Sequence, residues 1–270
     1  MDKIDLAKIL KSKNPRLARL LPRFVIGWGE ALLKAKRHNY ILENFSHLDA
    51  EGFIDSALDN IKVKYELYGR ENIPRQQGAK PLFISNHPLG GIDGIILASA
   101  IIKENIGDVR LIVNDLLLNI EPLKEIFVGV NKHGGQRAEL NRELDELYNS
   151  ECAMVNFPAG LCSRKIKGEI IDTPWKSSYV NRARKSGRTI IPTYVEARNS
   201  RWFYFFAKLR KFLGIKSNLE MLLLPRQVYF QKNKTVKIYF GEPLVIDQSK
   251  SSKEWNDSIR EKVYKLAETK

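Results

Sequence analysis

The residues best suited to chemistry in this chain are a histidine and an aspartate in the stretch FISNHPLGGIDG, residues 83 to 94. When a carboxylate holds one nitrogen of an imidazole, the tautomer is fixed and the other nitrogen can take up a proton. His87 and Asp93 thus have the make-up of a general base and its orienting partner. Each also has a plainer role open to it, Asp93 as a helix N-cap and His87 as a histidine satisfied by backbone. What separates the two readings is the intervening Pro88-Leu89-Gly90-Gly91 run, a turn whose glycines let backbone approach a ligand and fold Asp93 back toward the ring. No nucleophile motif accompanies the pair: there is no Gly-x-Ser-x-Gly elbow, and neither Cys152 nor Cys162 stands in a protease-like context. Such a pair suits activation of a hydroxyl carried by the substrate.

The elements that must position the pair are legible around it. Leu82 to Ser85 reads as a short buried strand, and the apolar run from Gly94 has helix length, so the order is strand, His87, glycine turn, Asp93, helix. Further strands are expected at 110–114, 126–130, 153–157, 189–195 and 235–240. Helices are expected at about 94–104, 138–149, 175–186 and 253–268. This alternation predicts an α/β fold, a βα-wound mixed sheet flanked by helices, with the site at strand ends. Residues 1–60 form a separate N-terminal segment, in which basic and apolar residues alternate at roughly helical spacing, broken by Pro15 and Pro22. They predict two or three short amphipathic helices that dock on a membrane, pack on the α/β domain of residues 61–270, or do both.

Lys and Arg number 45 against 31 acidic residues, a net charge of +14, so a polyanionic partner is expected. Every charged residue from Arg198 to Lys216 is basic. Trp202, Phe205 and Phe206 stand beside Lys208, Arg210 and Lys211 there, a mixture that fits an interfacial helix on anionic lipid better than single-stranded nucleic acid. No nucleic-acid partner is therefore expected. No segment has the apolar length of a membrane span, and two cysteines without a secretory signal imply a reducing compartment. The expected place is the cytoplasmic face of a membrane, held peripherally.

Two more loops at predicted strand ends carry anion-binding chemistry. Residues 130–141 place Lys132, His133, Gly134, Gly135 and Arg137 just before a helix, and residues 156–169 turn at Pro158 and Gly160 and then present Ser163, Arg164 and Lys165. No metal-binding cluster is evident.

Taken in order, Asn86-His87 with its following Asp93, the loop ending at Arg137, Phe157-Pro158-x-Gly160 with Ser163, Ile191-Pro192 and Gly241-Glu242-Pro243 resemble the sequence blocks of the glycerolipid acyltransferases, typified by 1-acylglycerol-3-phosphate acyltransferase. The resemblance covers roughly residues 65 to 245. It implies acyl transfer from a thioester of acyl carrier protein or coenzyme A to a lysolipid hydroxyl, with no other cofactor. It also implies His87 as base, Asp93 as its orienter, and Arg137, Gly160, Ser163, Arg164 and Lys165 as the acceptor site. Two departures stand out. Five residues rather than four separate His87 from Asp93, so the Gly-Gly turn must absorb one. In the third block Ala159, Leu161 and Cys162 replace the usual Glu, Thr and Arg, and an arginine comes only at Arg164. This variant looks closer to acyltransferases near ornithine- and glycine-lipid synthesis, and it implies an acceptor such as a monoacylated amino acid beside lysophosphatidate. An N-acyltransferase and a non-catalytic binding module for anionic lipid or nucleic acid are the alternatives.

Overall fold

The computed structural model describes residues 5–13, 19, 22–130, 136–215 and 217–268. Among the described residues, four helices of two turns or more precede the first strand: α1 (Leu6–Lys13), α2 (Arg23–Leu33), α3 (Ala35–Phe45) and α4 (Ala50–Ile61). Pro22 stands just ahead of α2 with an extended backbone, a position where its missing N–H costs nothing. Asp49 caps α4 by accepting from the Gly52 N–H at 2.9 Å, and the helix buries Phe53, Ile54, Leu58 and Ile61.

The remaining elements alternate. In chain order they are β1 (Lys64–Tyr68), β2 (Pro81–Ser85), α5 (Ile92–Lys103), β3 (Val109–Val113), β4 (Phe127–Gly129), α6 (Gln136–Asn149) and β5 (Ala153–Asn156). The hairpin β6 (Arg164–Ile166) and β7 (Glu169–Ile171) follows, then α7 (Ser178–Ser186), β8 (Thr189–Glu196), α8 (Arg201–Phe212), α9 (Leu224–Phe230), β9 (Thr235–Phe240), β10 (Leu244–Val245) and α10 (Ser252–Lys265). The main sheet has the order β1-β9-β8-β2-β5-β3-β4, with β10 also on β8. From β8 to β4 all neighbours are parallel, whereas β9 and β10 run antiparallel to β8. The sheet is therefore mixed, with a parallel majority.

β2 lies at its centre and is buried along its whole length, as a continuous apolar run requires. Strand alternation sends Phe83 into the core beneath α4 and α5, and sends Leu82 and Ile84 into the core beneath α7 and α10. A third, smaller cluster joins Cys162 to Phe203 and Tyr204 of α8. Because β2, β5 and β8 are parallel, the chain segments that leave their carboxyl ends meet at one edge of the sheet.

Candidate active site

At that edge Asn86 first locks β2 to β8. Its side-chain NH₂ donates to the Val195 carbonyl at 3.0 Å, and its carbonyl accepts from the Val195 N–H at 2.7 Å. The next residue, His87, has Nδ1 3.0 Å from Asp93 Oδ2. This is a close ion-pair contact with a bent approach, since the ring N–H does not point along a regular hydrogen-bond line. Asp93 is fully buried and accepts from four backbone N–H groups: Leu89 at 2.8 Å, Gly90 at 3.3 Å, Gly91 at 2.9 Å and Gly94 at 3.0 Å. The five-residue spacing is absorbed at Gly90, where φ is +77° and an added Cβ would stand 2.6 Å from Cys162 Cβ.

Burial opposes charge on both partners, yet each charge stabilises the other. Asp93 is held below the ordinary carboxylate value by His87 and the backbone donors, and His87 is held above its ordinary 6.5 by Asp93 and, further off, Asp172. Phe157 stacks on the imidazole, ring centres 4.2 Å apart. Among the described residues no partner is bonded to Nε2, so that nitrogen is the one available to a substrate proton.

Asp172, which the sequence reading did not single out, is the polar hub behind this pair. It accepts from the His87 backbone N–H at 3.2 Å, from the Ser163 hydroxyl at 2.6 Å and from Trp175 Nε1 at 2.9 Å. Burial raises its pKa even against these donors. Ser163 N–H in turn donates to the His87 carbonyl at 2.8 Å, so the loop after β5 is laced directly to the base.

Of the residues expected to meet the acceptor, Gly160 and Ser163 lie in this loop. Gly160 adopts φ +62°, and Lys176 Nζ comes within 3.9 Å of where a Cβ would stand. Lys165 is exposed on β6. Arg137 belongs to α6, but its side chain, like Lys132, His133, Gly134 and Gly135, lies outside the described residues. Arg164 is turned inward: Nη2 donates to Glu220 at 2.8 Å, and Nη1 donates to the Cys162 carbonyl at 2.6 Å. Glu220 is also ion-paired to Arg210 Nε at 2.7 Å. Arg210, grouped by sequence with the membrane contacts, thus finds a buried carboxylate instead of the surface. Trp202, Phe205, Phe206, Lys208 and Lys211 are exposed on α8, while Phe203, Tyr204 and Ala207 face inward. Both cysteines are buried, and burial pushes the Cys162 thiol up to about 11, the wrong direction for a nucleophile.

A parallel-majority α/β sheet carries the His-Asp pair at its strand ends, and the cysteine beside it, Cys162, is kept as a thiol by burial, an arrangement suited to activating a hydroxyl carried by an acceptor. Residues 8–269 match the family model described as Acyltransferase, and the chain belongs to that family. It is 35% identical over 266 residues to the lyso-glycine lipid O-acyltransferase of Phocaeicola vulgatus, covering 97% of this chain and 95% of that protein. It is 34% identical to the protein of the same name from Bacteroides thetaiotaomicron, with 97% of each chain covered. The crystal structure of the 1-acyl-sn-glycerophosphate acyltransferase PlsC from Thermotoga maritima shares the fold, with a TM-score of 0.53 at 17% identity over 100% of this chain and 99% of that one. The protein is an O-acyltransferase. The amine-acylating and non-catalytic alternatives are set aside on that ground.

Proposed function

We propose that the enzyme moves a fatty acyl group from an acyl thioester, of acyl carrier protein or coenzyme A, to the hydroxyl of a lysolipid whose headgroup is a carboxylate. The observation that carries this reading is the fully buried Asp93 holding Nδ1 of His87, with the other ring nitrogen available. The relatives' names supply the acceptor class: a lysolipid built on glycine keeps one carboxylate. His87 Nε2 takes the acceptor proton as the acceptor oxygen attacks the thioester carbonyl. The oxygen–carbon bond forms, the carbon–sulfur bond breaks, and the proton passes to the departing thiolate. The imidazolium formed in between is the species that Asp93 stabilises. Donor and acceptor are substrates, and no further cofactor is invoked. In this reading Gly160, Ser163, Arg164 and Lys165, in and just after the loop that follows β5, form the side toward the acceptor headgroup.

The reaction takes place at a membrane surface. α8 turns Trp202, Phe205 and Phe206 outward beside Lys208 and Lys211, and α2 adds exposed Phe24 and Trp28. α2 packs against α9 and the turn Leu219–Leu223, which itself packs on α8, so these side chains belong to one continuous region. A mixed apolar and basic surface suits anionic lipid. No helix among the described residues is long and apolar enough to cross a membrane.

Thiol release measured with acyl carrier protein or coenzyme A thioester, with and without an N-acylated hydroxy-fatty-acyl glycine acceptor, tests the reading. Release that depends on the acceptor, with the ester recovered and no acyl group left on the protein, is the expected result. An acyl adduct on Cys152 or Cys162 that forms without acceptor contradicts direct transfer.

A further inference from the structure

We propose that Glu220 sets the headgroup selectivity of this enzyme: by occupying part of the Arg164 guanidinium, it fits the acceptor site to one negative charge instead of two. The proposal rests on the reading that Arg164 faces the acceptor headgroup.

Arg164 is within electrostatic reach of His87, and it follows directly on Ser163, whose N–H is bonded to the His87 carbonyl. Both terminal nitrogens are engaged. Nη2 meets Glu220 at 2.8 Å and Met221 Sδ at 3.5 Å, and Nη1 meets the Cys162 carbonyl at 2.6 Å and its Sγ at 2.9 Å. A guanidinium grips phosphate through two parallel N–H donors, and this one has no such face to offer while Glu220 stays in place. Nε alone, without a partner among the described residues, is left for a single contact.

Charge balance leads to the same conclusion. Glu220 has a side chain with no exposure, and the arginines on either side of it are 12% and 17% exposed, so the trio is mostly out of water. Two guanidinium groups and one carboxylate leave one positive charge. One carboxylate headgroup balances it, whereas a phosphate monoester, with about −1.5 to −2 near pH 7, overshoots. The carboxylate that fixes this balance comes from the turn beneath α8, between the family's blocks and in none of them.

The test compares kcat/KM for an N-acylated hydroxy-fatty-acyl glycine and for a lysophosphatidate of equal chain length, with one acyl thioester and the full-length protein. The wild type is expected to favour the glycine acceptor. Glu220→Gln frees the Arg164 fork and adds one net positive charge, and should move the ratio toward lysophosphatidate by about tenfold. Arg210→Gln leaves Glu220 to Arg164 alone and should move the ratio the other way. Opposite signs cannot come from a loosened fold, and Arg210→Gln decides the matter if Glu220→Gln does not fold. Glu104→Gln removes the buried carboxylate that pairs with Arg70 and Arg75, and should leave the ratio unmoved. A wild type that favours lysophosphatidate, or a ratio unchanged in both variants while the glycine acceptor is still acylated, overturns this proposal and leaves the proposed reaction standing. A wild type that acylates neither acceptor overturns both.

Discussion

The same three-residue arrangement occurs at both ends of α5, with different consequences. Just past its C-terminus, buried Glu104 is paired with Arg70 at 2.7 Å and with Arg75. Near its N-terminal end, where Asp93 holds His87, buried Glu220 is paired with Arg164 and Arg210. The outer arginines are more than half exposed, at 57% and 52%, whereas the inner ones are nearly covered. Water shares the work of the outer trio, so it acts as a staple between the loop before β2 and the end of α5. The inner trio has little water to fall back on, and each charge there depends on the others. Solvent exposure, more than the residues involved, decides whether such a trio is a surface tie or part of the electrostatics of a site.

Stability measurements on matched variants should break the comparison most visibly. Glu220→Ala strands two covered guanidinium groups and should cost about 3–5 kcal/mol. Glu104→Ala leaves two arginines that water can solvate and should cost about 1 kcal/mol. Urea midpoints at constant slope give both numbers, and equal losses contradict the argument. A smaller effect should separate the outer surface of α8 from the trio beneath it. Replacing Trp202, Phe205 and Phe206 with Ser should weaken sedimentation with anionic vesicles at low salt while turnover of a soluble acceptor persists. Equal sedimentation of the wild type with neutral and anionic vesicles contradicts the electrostatic part of docking.

Much of the scaffold was legible because its signals are local. The runs that became β2, β3, β5, β8 and β9 are apolar and β-branched, and the glycine turn announced His87 and Asp93. β1, with its half-polar KYELY pattern, the two-residue β10 and the hairpin β6–β7 carry no such run. Asp172 and Glu220 were illegible for a different reason. Each is a single acidic residue whose meaning comes from a distant partner, 85 positions away for Asp172 and His87 and 56 for Glu220 and Arg164. The sequence places Arg164 with the acceptor and Arg210 with the membrane, and nothing near either shows that they share one carboxylate.

The central claim is that His87, held by Asp93, removes the acceptor proton. The most direct test is the pH dependence of kcat/KM for acyl transfer by the wild type and by folded His87→Ala. The base works only when neutral, and its charged form is stabilised by Asp93, so the wild-type rate should rise with pH through a midpoint above the ordinary imidazole value of 6.5. His87→Ala should be slower by about 10²- to 10⁴-fold and should lose that rise. A folded His87→Ala enzyme that keeps near-normal turnover, or the same rising limb, contradicts the account.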